Sequence, residues 1–162
     1  KAFAMTGWRI GYACGPVPLI RDMIKIQGQQ TSSPCSISQW AALAALTGPQ
    51  DFIVSARRQY LERRDLVVAR IQATRHLSCD CPAGAFYAFI SCENALGRRT
   101  ASGAAITSDE DFVRMLLEQA GVALVPGSAF GAPGHVRLSF AASMEQLQEA
   151  ARRIRDFCAD LQ

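Results

Sequence analysis

The chain has 162 residues, 49% of them apolar, which is enough for one ordinary domain with one buried core. Its 17 basic and 14 acidic residues leave a net charge of only +3, and the Lys and Arg are scattered rather than blocked, so composition gives no reason to expect a nucleic-acid partner. No apolar run approaches the roughly 20 residues a membrane span needs, and residues 1–14 lack the charged, then apolar, then small layout of a signal peptide, so the chain reads as soluble.

In chain order, "WRIGYAC" at residues 8–14 is aromatic and β-branched and is stopped by Gly15-Pro16, which predicts a strand followed by a turn. From Pro18 to about Gln30, apolar residues recur at Leu19, Ile20, Met23, Ile24 and Ile26 with helical spacing. "TSSPCSISQ" supplies turn chemistry, and Ser36 is placed to cap a helix through Trp40, Leu43 and Leu46 that stops at Gly48-Pro49. Residues 51–73 form the longest periodic segment. Phe52, Ile53, Tyr60, Leu61, Val67, Val68 and Ile71 make an apolar stripe, and Arg57, Arg58, Arg63 and Arg64 lie largely off it as a solvated face.

After the loop around Pro82-Ala83-Gly84, "AFYAFIS" reads as a strand, and a polar, Gly-bearing loop leads to a helix start at Ser108 with Asp111 three residues on. Phe112, Met115 and Leu116 share one face of that helix. "GVALVPGSAFG" predicts a short buried strand that breaks at Pro126-Gly127, "HVRLSFA" predicts another, and residues 143–161 form a closing helix with Met144, Leu147, Ala151, Ile154 and Phe157 inward. Interleaved strands and helices make the class α/β or α+β.

The six cysteines lack the spacing of a stapled mini-domain and read as free thiols in a reducing cytosol. His76, Cys79, Cys81 and Cys92 are the densest group of soft ligands, but their C-x-C spacing differs from the usual zinc pair; small buried residues are the expectation and no metal site is assigned.

Chemistry enters at "KAFAMTGWRIGYACGP". This stretch resembles the active-site segment of class I pyridoxal-phosphate aminotransferases, where a lysine is followed by a short turn and G-x-R-x-G. The resemblance implies that Lys1 is the Schiff-base lysine of pyridoxal 5'-phosphate and that Arg9 holds the cofactor phosphate. An arginine suits that task because its planar, permanently charged fork matches phosphate oxygens, and Gly7 and Gly11 let the backbone pass close to a ligand. "TSSPCSISQWAALAAL", "PAGAFYAF" and "VPGSAFGAPGHVRLSFA" resemble later segments of the same family, so the likeness runs over nearly the whole chain. It aligns Arg137 with the arginine that grips the substrate α-carboxylate; a core-edge arginine in a strand is the alternative from the residue alone. His135 reads as a strand surface residue, with a place beside substrate as the alternative. Ser33 stands where many relatives of the aspartate aminotransferase branch carry asparagine.

The resemblance implies an aspartate aminotransferase-like, PLP-dependent transferase fold of α/β class. In it, residues 1–48 would be the end of a large cofactor-binding domain with its crossover helix, and residues 49–162 a small α+β domain. It implies a carboxyl-terminal portion that begins on the catalytic lysine, with the ring-binding residues elsewhere. It implies amino-group transfer between an L-amino acid, aspartate or a related acidic or aromatic one, and a 2-oxo acid, in a cytoplasmic homodimer. A lyase or synthase of the same fold, or an inactive fragment, is the competing expectation.

Overall fold

The computed structural model describes residues 1–162, which divide into two compact units, Lys1–Ala56 and Arg57–Gln162.

In the first unit a 3-10 turn at Thr6–Trp8 precedes two helices, α1 (Val17–Gln30) and α2 (Ser36–Thr47), and the start of α3 (Asp51–Gln72). Pro18 sits in the first turn of α1, where its missing N–H costs nothing. The strand expected over residues 8–14 is absent: after the 3-10 turn this stretch carries no ladder, because β-branched and aromatic residues make a strand only where another strand is available to pair. Ser36 is not the cap of α2. Cys35 holds that position and Ser36 is the first helical residue. The Ser38 hydroxyl donates to the Trp8 carbonyl at 2.9 Å, tying α2 to the turn, and Phe3 packs against Phe52 with ring centroids 6.1 Å apart. Ser38 is the one buried residue of this unit; Leu19, Met23, Ile24, Ile26, Trp40 and Leu43 are exposed.

The second unit is a two-layer α+β arrangement. Four antiparallel strands, β1 (Ser78–Cys79), β2 (Tyr87–Ser91), β3 (Val125–Pro126) and β4 (His135–Ser139), lie in the order β1-β2-β4-β3. The central pairing sets Ala88 opposite Leu138 and Ile90 opposite Val136. These four residues are buried, and the alternate positions Tyr87, Phe89, Ser91, His135, Arg137 and Ser139 occupy the other face. The covered face packs on the second half of α3, on α4 (Asp109–Ala120) and on α5 (Met144–Ala159). Phe112 of α4 meets Phe157 of α5 edge to face at 5.7 Å, and Tyr60 of α3 lies 6.1 Å from Phe86 and 6.4 Å from Phe140. The stripe on α3 is buried only at Val67, Val68 and Ile71, while Phe52 and Leu61 are exposed. Arg57 and Arg58 are exposed as expected, but Arg63 and Arg64 are half-buried: Arg63 lies over the Tyr60 ring and Arg64 reaches the Pro82 carbonyl.

Helix starts follow their side chains. Ser108 caps α4 by accepting from the Asp111 N–H, and the Asp111 carboxylate turns back to Thr107. Ser143 and Gln146 form a reciprocal capping box on α5. Burial pushes the Cys92 and Cys158 thiols up to about 12, so both stay protonated and act as small core residues. All six cysteines are free thiols.

The loop between β3 and β4 is the least regular part of this unit and is held most tightly. Asp109, in the first turn of α4, is 2% exposed, and its carboxylate accepts from the Ser128 N–H at 2.8 Å and the Gly134 N–H at 3.3 Å. One side chain thus pins both ends of the loop. The Gly134 carbonyl in turn accepts from the Cys92 N–H at 2.9 Å. Gly127 opens a 3-10 turn to Phe130, and a Cβ there would collide with the Ala132 carbonyl oxygen and lie 2.7 Å from that of His135.

Two outcomes follow from this loop. Burial pushes the Asp109 carboxyl up, yet the hydrogen bonds from Ser128 and Gly134 hold it below its ordinary value. Its contribution to stability is therefore complete above the unfolded carboxylate pKa of about 3.9 and is lost as pH falls through the lower folded value. Asp109→Asn is expected to cost about 1–3 kcal/mol at neutral pH and to flatten the acid limb of stability against pH, read from urea midpoints. Gly127→Ala is expected to cost about 3 kcal/mol by the same measurement, since the new methyl meets backbone that cannot rotate away.

Candidate functional site

Arg137 stands in the middle of β4, on the sheet face that the helices leave uncovered. Its guanidinium lies between two rings: the carbon centre is 4.4 Å from the centroid of Tyr87 and 4.5 Å from that of Phe130. Tyr87 comes from β2, whose register sets Phe89 directly across from Arg137 and Tyr87 across from Ser139, so Tyr87 reaches Arg137 on the diagonal. Phe130 comes from the loop that Asp109 pins. The guanidinium makes no hydrogen bond and no ion pair within the chain, although it is half-buried. A permanent cation with both faces stacked and its N–H edges unmatched is suited to a planar anion approaching edge-on, a carboxylate above all.

His135 shares this face but is already engaged. Its ring stacks on Phe89 at 5.2 Å with planes 11° apart, and Nδ1 lies 3.2 Å from the Pro133 carbonyl. An open groove of about 540 Å³ runs along the same sheet face, lined by Tyr87, Phe89, Ser91, His135, Asp80 and Cys79 among others.

In the first unit, Lys1 and Arg9 bracket the amino-terminal turn. The Lys1 carbonyl accepts from the Ala4 N–H at 3.0 Å, and the Met5 carbonyl from the Trp8 N–H at 3.1 Å. Arg9 closes the turn in the left-handed region, with φ 49°, a conformation that costs a non-glycine residue roughly 1 kcal/mol or more. Its Nη1 donates to the Thr6 carbonyl at 3.0 Å, which folds the side chain back over the turn, and no carboxylate pairs with it. Both Lys1 and Arg9 are exposed.

Of the residues singled out in the sequence, Lys1 and Arg9 therefore occur on one turn of the first unit and Arg137 in the second. No group of three or more His, Cys, Asp or Glu stands close enough to hold a metal, and His76, Cys79, Cys81 and Cys92 form no such cluster. Sequence reading missed Tyr87, Phe130 and Asp109. Tyr87 and Phe130 each sit inside a quoted motif, but nothing in their spacing, 43 residues apart, says that both rings meet one guanidinium.

The family model for aminotransferase class I and II matches residues 1–154. The aspartate/prephenate aminotransferase of Cereibacter sphaeroides is 52% identical over 161 residues, which is 99% of this chain and 40% of that protein. The crystal structure of aspartate aminotransferase from Rhizobium meliloti superposes with a TM-score of 0.91 at 51% identity, covering 100% of this chain and 40% of that one. Aspartate aminotransferase from Thermus thermophilus with maleate superposes with a TM-score of 0.81 at 44% identity, over 97% of this chain and 39% of that one. The chain thus spans about 40% of the length of the relatives it matches. With the family model matching residues 1–154 and the relatives about half identical over nearly the whole chain, the chain belongs to the aminotransferase class I and II family.

Proposed function

We propose that the whole protein to which these residues belong transfers an amino group between an acidic L-amino acid, aspartate first, and a 2-oxo acid, with pyridoxal 5'-phosphate as cofactor. Family membership supports the reaction class, and the names of the relatives, aspartate and aspartate/prephenate aminotransferase, support the substrates. The structural observation that carries the reading is Arg137, a stacked guanidinium with every N–H edge unmatched by this chain.

The donor set fits the cofactor. Lys1 offers an amine for its carbonyl, and Arg9 offers a permanent cation, held on the same turn and unpaired by any carboxylate, for its phosphate. When bound, the cofactor supplies the electron sink that makes the substrate α-C–H acidic. The chain's own residues do the rest. Arg137 binds the substrate α-carboxylate through two parallel N–H bonds and so fixes which way the α-carbon faces. The Lys1 amine would take the proton from the α-carbon of the amino acid and deliver it to the cofactor carbon that receives the amino group, and in the return half-reaction would carry a proton the other way, to the α-carbon of the former oxo acid. Arg9 would hold the phosphate end of the cofactor in place.

In this reading residues 1–48 are the end of the cofactor-binding domain and residues 49–162 the small domain. Two facts support it: the first unit leaves Leu19, Met23, Ile24 and Trp40 exposed, and the relatives are more than twice as long. Likeness to the family is the sole support for the inference of a cytoplasmic homodimer; no helix of the chain is long and apolar enough to cross a membrane.

The test is a coupled assay of the whole protein with aspartate and 2-oxoglutarate, with ammonia measured in parallel. Amino transfer without ammonia release is the expected outcome, and stoichiometric ammonia would assign a lyase instead. Arg137→Ala is expected to raise KM for both aspartate and the oxo acid by about 10- to 100-fold, as lost charge-assisted hydrogen bonds do. Arg137→Lys, which keeps the charge but not the fork, is expected to recover only part of that loss.

A further inference from the structure

We propose that Tyr87 and Phe130 are positioning residues that clamp the Arg137 guanidinium between their rings and so set its affinity for a substrate carboxylate. The inference rests on the carboxylate role of Arg137 proposed above and deepens it.

Arginine has a long side chain with several soft torsions, and an unpaired one ordinarily samples many rotamers. Here no hydrogen bond or ion pair fixes Arg137; the contacts that restrain it are the ring of Tyr87 at 4.4 Å and the ring of Phe130 at 4.5 Å. Stacking on both faces has two consequences. Water is kept off the faces of the cation, which strengthens what the edges can do. The plane is also held, so that the remaining approach is edge-on and suits a bidentate carboxylate. The clamp therefore supplies the preorganisation that hydrogen bonds supply elsewhere, without occupying the donors that the ligand needs.

The two halves of the clamp are anchored independently. Tyr87 begins β2, paired with Ser139, and its own ring packs on Phe86 at 4.4 Å. Phe130 is half exposed, at 50%, so core packing does not explain an aromatic residue there. Its place is set by the loop that Asp109 ties through Ser128 and Gly134 and by the tight turn at Gly127. A ring held over a cation by so constrained a loop, with half its surface still in solvent, is placed for the cation rather than for the core.

The experiment uses the whole protein loaded with cofactor. It compares Tyr87→Leu, Phe130→Leu, Tyr87→Phe, Phe130→Tyr and Arg137→Ala by maleate affinity from calorimetry, by KM and kcat for aspartate, and by melting temperature. Each leucine variant is expected to weaken maleate binding and raise KM by about 3- to 30-fold, the range that cation–π contacts span between exposed and desolvated sites, with kcat within about twofold of wild type. Tyr87→Phe and Phe130→Tyr keep the rings and are expected to retain wild-type affinity. A merely structural role would lower melting temperature and active fraction and leave KM in place. Leucine variants that bind maleate like wild type, or aromatic variants that lose as much as leucine, would overturn the clamp. If Arg137→Ala weakens maleate while the leucine variants do not, the carboxylate reading stands and the clamp falls; if Arg137→Ala leaves maleate unaffected, both fall.

Discussion

One buried carboxylate organises the loop between β3 and β4 in the second unit. Asp109 is the first residue of α4, a helix whose start is fixed by the Ser108 cap, so its position is set by the core that Phe112, Met115 and Leu116 build behind it. From there it accepts from Ser128 and Gly134 and holds together the two ends of a loop that has no regular structure beyond one 3-10 turn. A charge in that position is tolerated because backbone N–H groups surround it, and the same hydrogen bonds keep it ionised. Gly127 leaves room for the close approach, and the Cys92 N–H fixes the far side through the Gly134 carbonyl. Apolar packing of the helix is thereby converted into the placement of Phe130.

The sheet contributes the other half. Strict alternation sends Ala88, Ile90, Val136 and Leu138 into the helices and leaves Tyr87, Phe89, His135 and Arg137 on one open face. Once the core has chosen its face, the polar and aromatic residues gather without further specification. The division between His135 and Arg137 is instructive: the histidine is stacked on Phe89 and bonded near Pro133, while the arginine has only rings beside it. Of the two, Arg137 retains donors for a ligand.

Much of this was legible in the sequence, where one element carries its own signal. The apolar stripes through Leu19 to Ile26, Trp40 to Leu46 and Leu147 to Phe157 gave helices, and "AFYAFIS" and "HVRLSFA" gave the two central strands, because period and turn residues are local properties. Residues 8–14 misled for the converse reason: strand-forming side chains say nothing about whether a partner strand exists. β1 is two residues long, too short for any period. Ser36 looked like a cap because capping residues also favour the first turn that follows one. Lys1, Arg9 and Arg137 entered as candidates only through the family resemblance, whereas Tyr87, Phe130 and Asp109 act across the chain, where neither period nor motif reaches.

The most direct measurement of the central claim, that Lys1 carries the chemistry of a pyridoxal-phosphate aminotransferase, is the visible absorption of the whole protein with pyridoxal 5'-phosphate, before and after aspartate, beside a Lys1→Ala variant. The account predicts a visible band in the wild type that bleaches when aspartate is added and is missing from the variant. A wild type without the band, or a variant that keeps it unchanged, would contradict the account at its root.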